Sequence, residues 1–174
     1  EKDVDGMTDV SAAGVYLGRS AGFAPCTAEA VTVLLDHYGI DCTGKRAVVI
    51  GRSPVVGRPA AMLLLERNAT VTVCHTRTQA LSDVTREADI IVSAAGAAGC
   101  LTAAHVRPGQ TIIDVSANWD AAKNTIVGDA DFDAAASIVD AITPVPGGVG
   151  AVTSAVLMRH VVQAAERTLE GGNL

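Results

Sequence analysis

The chain has 174 residues, of which 49% are apolar, 18% charged and 3% aromatic, with a formal net charge of −6. That length and apolar share support one domain with a genuine core and exclude a disordered chain. The negative charge argues against a nucleic-acid partner, which needs clustered Lys and Arg, and the apolar runs are too short for a membrane span.

Few aromatics mean a core built from Ala, Val, Leu and Ile, whose small side chains suit helices packed closely on a parallel sheet. The opening residues, Lys2-Asp3-Val4-Asp5-Gly6, are polar and unlike a signal peptide. Cys26, Cys42, Cys74 and Cys100 form no CxxC pair and read as reduced thiols of a cytoplasmic protein, not as metal ligands or disulfides. The sequence does not start with Met and opens in what reads as a loop, so it is expected to be part of a longer protein.

Residues 1–25 carry four glycines and Pro25 and show little periodicity, so they read as an irregular connecting segment. Residues 26–174 read as the domain proper. Thr27 is the expected N-cap of an amphipathic helix closed by Gly39. Short apolar runs at 47–50, 70–74, 90–93 and 111–114 predict buried parallel strands, and 137–139 a fifth. Between them, 58–67 predicts a helix with Pro59 in its first turn, and 78–86 a short one. Residues 151–169 predict a long amphipathic helix stopped at Gly171-Gly172. Strands alternating with helices predict an α/β fold: a Rossmann-type, doubly wound, mainly parallel sheet with helices on both faces.

The turn Gly51-Arg52-Ser53-Pro54-Val55-Val56-Gly57 follows the first strand and opens a helix. Glycines permit positive φ and close approach of a phosphate to backbone N–H groups, and a helix N-terminus favours an anion. Ser53 offers a hydroxyl and Arg52 a permanent cation. The spacing is G-x-S-x-x-x-G, not GxGxxG, so taken alone it also fits a structural strand-to-helix turn. After the second strand comes Cys74-His75-Thr76-Arg77-Thr78, with no carboxylate to receive a ribose 2′-OH. Hydroxyls and Arg77 there favour a 2′-phosphate, hence NADP over NAD. A solvated surface role for Arg77 also stays open, as does a packed turn role for His75, which is given no acid–base function.

Several motifs occur together and in order: KDVDG at 2–6, Pro25-Cys26-Thr27, Gly51-Arg52-Ser53 with Val56-Gly57 and Pro59, Val73-Cys74-His75, Val127-Gly128-Asp129, and Pro144-Val145-Pro146-Gly147-Gly148-Val149-Gly150. Across essentially the whole chain this resembles the bifunctional methylenetetrahydrofolate dehydrogenase/methenyltetrahydrofolate cyclohydrolase family. The resemblance implies two domains around a cleft, a folate domain carrying a catalytic lysine in YxxxK and an NADP-binding domain, of which this chain looks like the second. It implies that Asp5 contacts the folate pterin, that Pro146 and Gly147 border the folate–nicotinamide junction, and that the cofactor meets Gly51, Arg52, Ser53, Gly57, His75, Thr76, Arg77, Gly150 and Thr153. It also implies a homodimer.

The chain departs from that pattern at Ala28, where the family has a proline after PCT, and at Ser116-Ala117, where the family has a glycine after Asp114-Val115. Those extra atoms are expected to crowd the nicotinamide. Lys2, Lys45 and Lys123 are the three lysines, and none lies in YxxxK. The chain alone is therefore expected to be inactive, with the folate domain as its missing partner. The competing readings are a free-standing, non-catalytic NADP-binding module and, less well supported, a shikimate-dehydrogenase-like enzyme. The latter leaves KDVDG and PVPGGVG unexplained.

Overall fold

The computed structural model describes residues 2–171. Helix α1 (Asp9–Leu17) lies inside the segment expected to be irregular. It is capped by Thr8, whose side chain accepts from Ser11 N, and stopped by Gly18 in the left-handed region. Only Ser11 and Gly14 of this helix are buried, so it shows no apolar stripe by which periodicity could reveal it.

Helix α2 (Cys26–His37) begins one residue before the expected cap, and Pro25 precedes it without any side-chain cap bond. Its end is as predicted, since Gly39 at φ +66° lets Ile40 N bond Leu35 O at 2.9 Å. There follow β1 (Arg46–Ile50), α3 (Gly57–Glu66), β2 (Thr70–Cys74), α4 (Leu81–Arg86), β3 (Ile90–Ser93) and β4 (Thr111–Asp114). A small antiparallel hairpin, β5 (Asn118–Asp120) with β6 (Thr125–Val127), stands apart from the main sheet.

The fifth strand was expected at 137–139. Instead Asp131 caps helix α5 (Phe132–Ala136), and Ile138 N and Val139 N bond back to Ala135 O. Those two apolar residues pack into the core from a turn. The strand itself is β7 (Ala141–Ile142), followed by helix α6 (Val149–Gly171). Of the predicted stop at Gly171-Gly172, Gly172 lies outside the described residues.

The main sheet is fully parallel, in the order β2-β1-β3-β4-β7. Its two faces divide the core. Ala47, Val49, Ile90 and Val92 pack under α2, α3 and α6, while Val48, Ile50, Ile91 and Ile112 pack with Leu81, Val106 and Ala135 on the other side. Burial on both faces is why β1, β3 and β4 read as apolar runs, while β2, expected to be buried, is an edge strand with only Cys74 buried. Chain order reverses between β1 and β3, and in open α/β sheets the crevice at the carboxyl ends of the strands there is where ligands bind. Among the described residues no helix is long and apolar enough to cross a membrane.

Candidate functional site: the crevice above β1 and β3

The glycine turn sits at the carboxyl end of β1. Gly51 has φ +117°, and a Cβ there would collide with the carbonyl of Ala94 after β3. Its N–H donates to Cys74 O at 2.8 Å, which ties the turn to the end of β2. Gly57 opens α3, and a Cβ on it would strike the Gly51 carbonyl. Both glycines are therefore demanded by close backbone approach. Ser53 Oγ accepts from Val56 N at 3.1 Å and Gly57 N at 3.3 Å, capping α3 and leaving its hydroxyl proton to donate outward.

The β2–β1 register pairs Cys74 with Ile50, so His75 and Gly51 stand level at the rim. His75 shapes its own turn: its N–H donates to Thr78 Oγ1 at 2.9 Å, and its Nδ1 accepts from Arg77 N at 3.1 Å. Thr76 and Arg77 are left exposed beside it. Arg52, Arg58 and Arg77 form no ion pair among the described residues, whereas Arg46, Arg67, Arg107 and Arg159 do. Arg52 and Arg58 thus stand unpaired at the start of α3, and Arg77 in the turn after β2.

Across the crevice, Asp129 is fully buried and acts as a hub. Its Oδ2 accepts from Ser93 Oγ (3.0 Å), Ala95 N (2.8 Å) and Ser116 Oγ (2.7 Å). Its Oδ1 accepts from Ala97 N (2.7 Å) and Asn118 Nδ2 (3.1 Å). The loop after β3 is thereby fastened to the segment after β4. Next to it, Asp114 accepts from Ala130 N and Ser116 N. Burial pushes the Asp114 carboxyl above its ordinary range, the backbone amides oppose this, and the nearby Asp129 charge adds to it.

Ser116 is buried. Its hydroxyl turns inward, donating to Asp129 and accepting from Gly96 N at 3.2 Å, because a buried acceptor and a backbone donor are both within reach. Ala117 is exposed. Pro146, Gly147 and Gly150 line a pocket of about 310 Å³ shared with Ser116 and Ile126. Thr153 is half-buried one turn into α6, where its hydroxyl donates to Val149 O.

Asp5 stands apart, in the turn before α1. That turn is built by Asp3, whose carboxylate accepts from the Ser11 and Thr8 hydroxyls and from the amides of Met7 and Thr8. Partial burial raises its proton affinity, but these bonds outweigh it and hold the carboxyl well below the usual range. Asp5 itself is exposed, and the neighbouring Gly6 lines a cavity of about 300 Å³ together with Tyr16, Val55 and Arg58. The turn before α1 and the glycine turn before α3 are thus adjacent. A larger cavity, about 910 Å³, lies at the β7 edge between α2 and α6 and includes none of the glycine turn.

A folded carboxyl that binds its proton less readily than the unfolded one contributes stability above its unfolded pKa of about 4, and that contribution fades as pH falls below it. Asp3→Asn should therefore lower the melting temperature at pH 7, with the gap to the unaltered chain narrowing towards pH 3. An equal gap at both pH values would count against this role for Asp3.

Comparison with known proteins bears on the same residues. The sequence model of a family described as tetrahydrofolate dehydrogenase/cyclohydrolase, NAD(P)-binding domain, matches residues 25–169. The chain belongs to the tetrahydrofolate dehydrogenase/cyclohydrolase family. It is 55% identical over 167 residues to the bifunctional protein FolD of Carboxydothermus hydrogenoformans, covering 95% of this chain and 58% of that protein. The FolD structure from Campylobacter jejuni superposes with a TM-score of 0.93 at 45% identity, over 96% of this chain and 59% of the other. The Trypanosoma brucei enzyme, solved with NADP cofactor and inhibitor, gives 0.90 at 38% identity, over 97% and 59%. The chain thus spans somewhat under three-fifths of the length of these relatives. The matched segment is the family's NAD(P)-binding domain.

Of the predicted cofactor residues, Gly51, Arg52, Ser53 and Gly57 share the α3 turn, His75, Thr76 and Arg77 the neighbouring β2 turn, and Gly150 and Thr153 the start of α6. Asp129, Ser116 and Asp3 were missed as organising residues. The VGD motif marked Asp129, but no local signal indicates that its donors lie 11 to 36 residues away.

Proposed function

We propose that the chain is the NADP-binding half of a methylenetetrahydrofolate dehydrogenase/methenyltetrahydrofolate cyclohydrolase of the cytoplasm, and that it needs the folate domain for turnover. The observation that carries this is the α3 turn, with its two crowded glycines and the unpaired Arg52 and Arg58, standing level with the β2 turn that holds Thr76 and Arg77 and no carboxylate. The residues present fit a dinucleotide. The Gly51–Gly57 turn and Ser53 take its pyrophosphate, and Thr76 and Arg77 take a 2′-phosphate, which a carboxylate at the end of β2 would repel.

When bound, NADP supplies the hydride acceptor for the folate methylene group. The protein's part is placement. Pro146 and Gly147 close one side of the ring junction without bulk, and Asp5, an acceptor-only carboxylate, suits the paired N–H donors of a pterin. Water adds to the oxidised methenyl carbon in the second reaction. Proton handling in both steps falls to a lysine that these residues do not supply. With methylenetetrahydrofolate, the chain alone should run at least about 100-fold below a two-domain relative, the scale of one lost acid–base group. Comparable turnover would overturn this reading.

Cofactor choice is tested by titration. NADP should bind more tightly than NAD, and Arg77→Ala should cost NADP about 1–2 kcal/mol, roughly 5- to 30-fold, while sparing NAD. Equal losses for the two cofactors would remove Arg77 from the 2′-phosphate site.

A further inference from the structure

Helix α6 carries a buried histidine that the proposed reaction does not use. His160 is 2% exposed. Its Nδ1 lies 2.8 Å from the Val4 carbonyl oxygen, and its Nε2 lies 2.8 Å from Glu29 Oε2 on α2. The other Glu29 oxygen takes Arg159 Nη2 at 2.5 Å. The ring packs 4.7 Å from the Phe23 ring. Nδ1 faces the Val4 carbonyl, with Cys26 Sγ also 3.6 Å away, and Nε2 faces the Glu29 carboxylate, so the ring bridges the Val4 carbonyl and Glu29. The Cys26 thiol is a second, weaker donor to Val4 O at 3.5 Å. Burial, then the Asp5 and Glu29 carboxylates beside it, pushes that thiol up to about 12, so it stays a thiol and no nucleophile.

We infer that His160 is a positioning residue for Asp5, acting through the Val4 carbonyl. Val4 O and Asp5 N belong to one planar peptide unit. Fixing that oxygen fixes the plane, and with it the direction in which the Asp5 side chain leaves the backbone. The rest of the turn is already closed: Gly6 N bonds Asp3 O at 3.1 Å, and Gly6 is pressed against the backbone of residues 23–25. The peptide between Val4 and Asp5 is the free element, and the Glu29–His160 pair holds it from 156 residues away. A carboxylate that must meet two donors of a pterin edge at once gains from such a fixed direction.

The inference rests on the proposal that Asp5 binds the folate. It is tested in the full-length protein by steady-state kinetics of Asp5→Asn, His160→Leu, His160→Asn and the double variant Asp5→Asn/His160→Leu. Asp5→Asn should raise KM for the folate by roughly tenfold or more. His160→Leu should raise it several-fold, with KM for NADP unchanged and kcat less affected. His160→Asn keeps an N–H where Nδ1 was and should recover most of the loss, although its bond to Glu29 is gone. The double variant should be no worse than Asp5→Asn alone. Recovery by Asn no better than Leu, or an equal rise in KM for NADP, would reduce His160 to a packing residue. A folate KM moved by Asp5→Asn but not by His160→Leu overturns this inference alone. A folate KM unmoved by Asp5→Asn overturns the role of Asp5 as well.

Discussion

Asp129→Ala should cost about 3–5 kcal/mol of stability and lower the melting temperature by roughly 6–20 °C, the range for breaking a buried charged network in a chain of this size. The carboxylate accepts five bonds, and its removal strands Ser93 Oγ, Ser116 Oγ, Asn118 Nδ2 and the amides of Ala95 and Ala97. Each buried donor left unpaired costs about 1–3 kcal/mol. One effect runs the other way: loss of the Asp129 charge relieves its repulsion of Asp114. A single relieved repulsion against five lost partners does not change the sign. Asp129→Asn preserves shape but turns an amide donor towards other donors, so it should fall nearly as far. Scanning calorimetry showing a loss under about 1 kcal/mol for both variants would mean that water replaces the hub.

Gly57→Ala sets two effects of known size against each other. At a helical position the exchange should gain up to about 1 kcal/mol of propensity. Here the new Cβ meets the Gly51 carbonyl and Arg52 N, which are backbone atoms of the turn itself and cannot rotate away. Overpacking of that kind costs about 1–3 kcal/mol, and the relief available is displacement of the turn. The expected result is lower stability together with a loss of about tenfold or more in NADP affinity. Gly150→Ala supplies the contrast in stability. It is also helical, yet nothing lies within 4 Å of its added Cβ, so it should be neutral or slightly stabilising. NADP binding unchanged in Gly57→Ala would mean that the α3 turn is not the phosphate site.

What was legible in the sequence is what depends on neighbours along the chain. Strands β1, β3 and β4 show themselves because a parallel strand buried on both faces must be apolar, whatever it pairs with, whereas the exposed edge strand β2 shows itself by its β-branched residues. The stop at Gly39 and the Gly51–Gly57 turn are legible because positive φ and close approach select glycine locally. The missing carboxylate after β2 is likewise a local fact. Helix α1 was not legible, since so little of its surface is buried that no periodic stripe forms. The Ser137–Val139 run misled because apolar residues bury as well from a turn as from a strand, and only pairing with β4 picks out Ala141–Ile142. The direction of the Ser116 hydroxyl, the hub at Asp129 and the brace from His160 to Val4 were decided by tertiary structure alone. Each joins residues far apart in the chain, and a hydrogen bond of that span leaves no period, spacing or composition for a sequence to display.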